Sequence, residues 1–238
     1  MINKTQLLIS EEKVDFNKYA GDYECILDKD LNVFGEEIGY FAEYKVKIVS
    51  EISEANRNIL EFGCGIGLNL SFFKKYFPRS EINGCDISQK SIDIASQKYK
   101  DVKFFIIDDN TIKERKGKYD LIFVSCVFHH IAPDLRRHSI KQIRDLLKDG
   151  GELYIFEHNP YNPVTQKIVR ECIWDEDAIL LNRRETINLM ESGGFKIRIK
   201  KYSLFFPASL SFLRPLEKFL GCIPLGGQYF VKGIKNPQ

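Results

Sequence analysis

The chain has 238 residues, long enough to bury a sizeable core as one large or two small domains. Its 35 basic and 33 acidic residues nearly cancel to a net charge of +2, so the overall balance gives no reason to expect a nucleic-acid partner. Six cysteines (Cys25, Cys64, Cys85, Cys126, Cys172 and Cys222) are scattered with no Cys-x-x-Cys pair, several of them in apolar runs, which points to buried free thiols in a reducing compartment and away from a disulfide frame or zinc site.

The N-terminal stretch MINKTQLLISEEKVDF has an apolar run too short for a signal peptide, and no segment approaches a membrane span, so the expected setting is cytoplasmic. After this polar start, residues 36–54 carry Ile38, Phe41, Tyr44, Ile48 and Ile52 at steps of three and four, the pattern of an amphipathic helix laid on a sheet. Strand-like and helical runs then alternate: NILEFGC with LNLSFFKKYF, EINGCDIS with QKSIDIASQKY, VKFFIIDD with a short polar stretch, and YDLIFVSCVF with RRHSIKQIRDLLK. That last helix is expected to stop at Asp149-Gly150-Gly151, a C-cap signal, before the strand GELYIFEHN. A helix near RETINLMESGG, a strand in KIRIKKYSLFF and a last strand in GGQYFVKGIK complete the order. Alternating apolar strands and helices predict an α/β fold with a mostly parallel sheet covered on both faces.

The densest chemical signal is Asn58 to Gly67, where an apolar strand runs into Gly63, Gly65 and Gly67 with Glu61 just before them. Glycines at the end of a strand tolerate a strained turn and leave room for a ligand against the backbone. A dinucleotide fingerprint wants Gly-x-Gly-x-x-Gly, but the sixth position from Gly63 is Leu68. The motif present, Glu-x-Gly-x-Gly-x-Gly, resembles that of the class I S-adenosylmethionine-dependent methyltransferases of the small-molecule type, and the resemblance extends over roughly residues 55–200.

The resemblance implies a Rossmann-like sheet of seven strands whose last strand returns antiparallel between the fifth and the sixth. It implies S-adenosyl-L-methionine as cofactor, with Glu61 shaping the glycine loop and Gly63, Gly65 and Gly67 curling around the methionine part. Asp86, 19 residues beyond Gly67, ends the second strand where a carboxylate can accept both ribose hydroxyls, although an acid there also suits a helix N-cap. By the same resemblance Ile87 covers one face of the adenine and Asp108 takes the adenine amino group, with Asp109 adjacent. Adjacent carboxylates on an extended chain point apart and no further ligand follows at a suitable spacing, so no metal site is expected. These acids would also repel a pyrophosphate, which argues against a nicotinamide cofactor. The aromatic segment FNKYAGDYE would fold over the cofactor as a lid through Tyr19, making residues 1–54 a lid and helix on a domain of residues 55–238.

On the acceptor side, the loop after the fourth strand holds His129 and His130. An imidazole of ordinary pKa suits a general base for a hydroxyl acceptor, with His130 ahead of His129, although either could simply cap the strand. Glu157, His158 and Tyr161 end the fifth strand as candidate acceptor contacts, or as scaffold in the loop His-Asn-Pro-Tyr-Asn-Pro. Asn-Pro-x-Tyr-like motifs occur in adenine-specific DNA methyltransferases, but there they end the fourth strand, which counts against a DNA substrate. Residues 202–225 are dense in Leu, Phe and Ile with only Arg214, Glu217 and Lys218 charged; a helical insertion at 204–225 reads as a cover or dimer contact, or as an interfacial helix meeting a membrane or lipid-like acceptor. The expected function is methyl transfer to an oxygen or nitrogen of a small-molecule or metabolite acceptor. The competing readings are a nicotinamide oxidoreductase and a non-catalytic cofactor-binding protein. Oligomeric state and acceptor identity are not readable from the sequence.

Overall fold

The computed structural model describes residues 38–53, 58–173, 175–176 and 178–237. Tyr19 and Tyr23, and with them the expected lid, lie outside the described residues. Helix α1 (Ile38–Ile52) forms where the spacing predicts one, but the apolar residues it buries are Ala42, Val46 and Val49, with Ile48 and Ile52 of the expected stripe only partly buried beside them.

The first five strands are β1 (Asn58–Phe62), β2 (Glu81–Asp86), β3 (Lys103–Ile106), β4 (Tyr119–Ser125) and β5 (Leu147–His158). They are linked by α2 (Leu70–Tyr76), α3 (Gln89–Lys98), α4 (Asp109–Glu114) and α5 (Arg136–Leu146). Beyond β5 come α6 (Pro163–Glu171), α7 (Arg183–Ser192), β6 (Phe195–Ser203), a 3-10 segment (Ala208–Leu216), the short α8 (Glu217–Leu220) and β7 (Gln228–Lys235). The sheet order is β3-β2-β1-β4-β5-β7-β6. β1 to β5 pair in parallel, and β7 runs antiparallel to both β5 and β6. The expected architecture, including the antiparallel last strand between the fifth and sixth, is present.

Because side chains alternate along a strand, neighbouring apolar residues feed opposite cores. Leu60, Ile122, Val124, Leu153 and Ile155 pack with Ile140 and Ile143 of α5 and Met190 of α7. Ile59, Leu121, Phe123, Tyr154 and Phe156 face the other way, against Val46 and Val49 of α1 and Leu70 and Phe73 of α2. On that second face Phe73, Phe123, Phe156 and Phe230 form a ladder of rings with successive centroids 5.1, 5.4 and 5.1 Å apart. Truncating a central rung such as Phe123 would cost about 3–5 kcal/mol.

Two local expectations differ from the structure. The polar stretch after β3 contains helix α4, because Asp108 and Thr111 form a reciprocal capping box that nucleates it. Helix α5 ends at Leu146 instead of running to the glycines, since Leu147 already bridges Tyr119 of β4. Gly150, at φ +75°, sits within the irregularity that follows, and regular pairing resumes at Glu152 opposite Leu121. The predicted C-cap is thus a bulge in the strand.

The insertion between β6 and β7 is a broken one, with Pro215 inside its 3-10 segment and only a four-residue helix after it. No described helix is long and apolar enough to cross a membrane. The insertion is anchored from within by Glu217, whose Oε1 accepts from the Phe205 and Phe206 N–H groups (3.0 and 3.1 Å) and whose Oε2 accepts from Tyr44 OH at 2.5 Å. It is strapped from outside by the turn after β5. Asn159 donates to Pro224 O and Gly226 O (3.0 and 2.7 Å), and Asn162 donates to Leu225 O (2.7 Å) while capping α6.

Candidate functional site

Parallel strands with helices on both faces leave a crevice at their carboxyl ends where the strand order reverses, here between β1 and β4. The loop after β1 fills one side of it. Gly63, Gly65 and Gly67 have φ of +74°, +50° and +85°, a region that L side chains avoid. Their roles differ. A Cβ on Gly63 would come within 2.5 Å of Val127 Cγ2, and one on Gly67 within 2.8 Å of Leu70 Cδ1, so these two serve close packing. A Cβ on Gly65 would meet nothing within 4 Å among the described residues, so this glycine presents an open backbone face to them.

The loop is pinned to β2. Gly63 N and Cys64 N donate to Cys85 O (2.8 and 2.9 Å), and Gly65 N donates to Asp86 Oδ2 at 2.8 Å. The other Asp86 oxygen accepts from Ser88 N at 2.9 Å. Burial raises the Asp86 pKa, and the N–H groups of Ser88 and Gly65 hold it back. The helix cap itself is Ser88, which accepts from Ser91 N, so Asp86 is the loop's anchor and not the cap of α3. Ile87 follows it, 50% exposed although large and apolar.

Glu61 is buried beneath the loop. Its Oε1 accepts from Asn69 Nδ2 at 2.5 Å, whereas its Oε2 is buried with no hydrogen-bond partner among the described residues. Burial pushes its pKa up to about 8, against the opposing pull of Asn69 and Lys45. Lys45, a buried residue of α1, donates to Ser125 Oγ at 2.6 Å and so sits at the end of β4. After β3, Ile107 N donates to Asp86 O at 3.0 Å, which sets Asp108 beside the crevice. Asp108 Oδ1 is occupied as the cap of α4, accepting from Asn110 N and Thr111 N at 2.8 Å each. Asp109 lies exposed in the first turn of α4, 3.8 Å from His138.

The loop after β4 forms a second cluster. Cys126 has φ +57°, and the following turn (Phe128–His130) is held by Glu157 at the end of β5. Glu157 is fully buried; its Oε1 accepts from Val127 N and Phe128 N (3.0 and 2.7 Å), and its Oε2 lies 2.6 Å from His129 Nδ1. The far nitrogen of His129, Nε2, is 3.3 Å from Asp175 Oδ1, and His130 Nε2 is 3.5 Å from the same oxygen. Burial alone would lower the His129 pKa, but Glu157 and Asp175 outweigh it and raise it. His130, in contrast, is lowered to about 3, by burial and then by the charge on His129. Burial opposes ionisation of Cys126 too, yet His158 and Lys45 bring its thiol down to about 7. Arg136 closes the turn from behind, donating to Phe128 O, Ile131 O and Ile179 O.

The structure therefore gathers Glu61, the three glycines, Asp86 and Ile87 at one side, and His129, His130, Glu157 and His158 at the other. Both oxygens of Glu157 are committed to the turn. Tyr161 is 60% exposed and lines a surface groove with Arg183, Lys200 and Tyr202, none of which belongs to either group. Sequence reasoning passed over Lys45, Asn69, Ser88, Cys126 and Asp175. Ser88 was legible as a cap signal three residues before Ser91; the others meet the site only through tertiary packing.

Residues 60–153 match a family model described as a methyltransferase domain, and this segment holds Glu61, the glycine loop, Asp86 and the histidine turn. The whole fold superposes on a SAM-dependent methyltransferase of Thermotoga maritima with a TM-score of 0.66 at 17% identity, covering 93% of this chain and 98% of that one. Residues 60–153 thus carry a methyltransferase domain, within a fold shared with that SAM-dependent methyltransferase. Among curated proteins it is 28% identical to a demethylmenaquinone methyltransferase of Thermotoga maritima, over 62% of this chain and 61% of the relative. It is 34% identical to a malonyl-[acyl-carrier protein] O-methyltransferase of Ilyobacter polytropus, over 46% of this chain and 41% of the relative. The matches extend to a ribosomal RNA small subunit methyltransferase C of Photobacterium profundum. The chain thus spans about half the length of the curated relatives it matches, and their names cover unlike acceptors. The cofactor of a methyltransferase domain of this class is S-adenosylmethionine. The residues present fit it: an open backbone face at Gly65, a buried carboxyl oxygen of Glu61 with no partner among the described residues, and acids where a pyrophosphate would be repelled.

Proposed function

We propose that the protein transfers a methyl group from S-adenosylmethionine to an oxygen or nitrogen atom of a small-molecule or metabolite acceptor. The observation that carries this reading is the Gly65 backbone, held open by Asp86 directly after the strand that buries Glu61. In this reading Glu61 Oε2 accepts a hydrogen bond from the cofactor, Gly63 to Gly67 line it, Asp86 takes the ribose, and Ile87 and Asp108 meet the adenine. Asp86 Oδ2 accepts from Gly65 N and Oδ1 from Ser88 N, and a carboxylate offers about four lone-pair sites, which leaves room for a ribose hydroxyl.

The cofactor supplies an activated methyl group, so the protein has mainly to align an acceptor lone pair and exclude water. The buried turn at His129 fixes the loop facing that acceptor, and His130, 19% exposed, is its accessible imidazole. With its pKa near 3, His130 is a hydrogen-bond acceptor and a weak base, so alignment does more than proton removal. The near-zero net charge supports a small acceptor over a polynucleotide.

Equilibrium binding of S-adenosylmethionine and NAD to one sample, followed by turnover to S-adenosylhomocysteine with a pool of metabolites, tests the reading. Binding of the first cofactor alone, with turnover, is expected. NAD binding in its place would return the oxidoreductase alternative, and cofactor binding without turnover on any pool would favour a non-catalytic role.

A further inference from the structure

Three side chains from separate segments meet behind the β4 turn: His129 from the turn itself, His158 from the last residue of β5, and Asp175 from the segment after α6. Each offers a ligand atom, and these atoms all lie within 4.8 Å of one another. They are enclosed, the side chains of His129 and Asp175 being 1% and 10% exposed. The sequence shows no metal-ligand spacing because the three residues are brought together only by the fold.

The orientation of His129 is decided. Its Nδ1 faces Glu157 at 2.6 Å, which leaves Nε2 turned into the cluster, 3.3 Å from Asp175 Oδ1. Two ligand atoms bound at about 2.0–2.1 Å to one tetrahedral ion lie roughly 3.3 Å apart, so this pair already has the right separation. The third ligand would be drawn in by the ion. Glu157 is itself fixed by two backbone N–H groups, giving the carboxylate–histidine support that metal-bound imidazoles use.

We propose that His129, His158 and Asp175 bind one first-row divalent cation of the zinc or iron(II) kind, with Glu157 as a positioning residue for His129. Two imidazoles and one carboxylate are too nitrogen-rich for calcium or magnesium and suit these borderline ions. Three protein ligands leave a coordination position open, which a lone pair of a small ligand can fill. His130 lies beside the cluster, its Nε2 3.5 Å from Asp175 Oδ1. The inference goes beyond methyl transfer and does not depend on it.

The test uses the full chain without added histidines, stripped by chelator dialysis and titrated with Co2+. One equivalent with saturable visible absorption, displaced by Zn2+, is expected. His158→Ala and Asp175→Asn should each weaken binding at least tenfold, and Glu157→Gln about 10–100-fold, with melting curves recorded for every variant. Should a variant not fold, proton NMR of the Co2+-loaded wild type decides: two of the four imidazoles should be strongly shifted, with an exchangeable proton on His129 Nδ1. No saturable Co2+ signal in the wild type, or shifts on other imidazoles, overturns the proposal. So does equal affinity in folded variants. Neither S-adenosylmethionine nor an acceptor is present in the assay, so its failure would leave the methyltransferase reading standing.

Discussion

Glu61 shows how one buried atom links stability to ligand binding. Its carboxyl holds a proton up to about pH 8 in the fold against an ordinary 4.5, chiefly because burial penalises the charge. A carboxyl that binds its proton more tightly folded than unfolded makes the ligand-free protein lose stability as pH rises from about 4.5 to 8. Glu61→Gln keeps the shape without the charge, so its melting temperature relative to wild type should climb through that window and level off above it. A difference independent of pH would mean that Glu61 is ionised throughout. At Asp86, truncation to Ala should weaken S-adenosylmethionine binding by about 1.5–3 kcal/mol, the scale of lost hydrogen bonds to a charged acceptor. Unchanged affinity by calorimetry, with a normal melting curve, would remove the ribose assignment. For His130→Ala, single-turnover methyl transfer should slow by more than about tenfold while cofactor affinity stays near wild type. A smaller loss would leave alignment by the rest of the loop as the whole effect.

At the level of elements, the glycine loop divides its work between fold and ligand. Gly63→Ala should lower the melting temperature, because its Cβ would collide with Val127, whereas a Cβ at Gly65 meets no described atom within 4 Å, so Gly65→Val should chiefly destroy cofactor affinity, apart from the strain of φ +50°. Thermal melts beside calorimetry separate the two; wild-type affinity in Gly65→Val would place the cofactor elsewhere. Such a division was only partly legible in the sequence. Three glycines after an apolar strand announce the turn, and the alternation of strands and helices gave the sheet, but which glycine faces ligand depends on Val127 and Leu70. The cap at Asp108 hid in an apparently polar loop, since capping is a three-residue event that hydrophobic periodicity does not register. Gly150 misled in the opposite sense, because a left-handed glycine suits a helix C-cap and a strand irregularity alike. Asp175 was illegible, being joined to His129 only after β5 and α6 are in place.

Across the whole molecule, α1 is fastened to the sheet by a buried ion pair at the end of β5 opposite the site. Lys232 Nζ lies 2.7 Å from Glu152 Oε1 and donates to Ile52 O at 2.8 Å, while Ser53 Oγ donates to Glu152 Oε2 at 2.6 Å. Lys232→Met would strand the Glu152 charge in the interior at a cost of about 3–5 kcal/mol. Chemical denaturation should show that loss, and pairing it with Glu152→Leu should recover much of it. Six residues of strand, about 20 Å, separate Glu152 from His158, so cofactor affinity should not change in the folded variants. A weakened cofactor would show that α1 transmits its seating on the sheet to Lys45.

The turn Asn159 to Asn162 grips the carbonyls of Pro224, Leu225 and Gly226, so the end of β5 and the apolar insertion are one mechanical piece. Phe212 and Phe219, 73% and 70% exposed, ride on that piece. Exchanging the insertion for that of another methyltransferase domain would therefore carry the setting of His158 with it. A transplant that omits the two asparagines would bring a new surface but lose its alignment with the site. The smallest unit that can be grafted intact runs from Glu157 through β7.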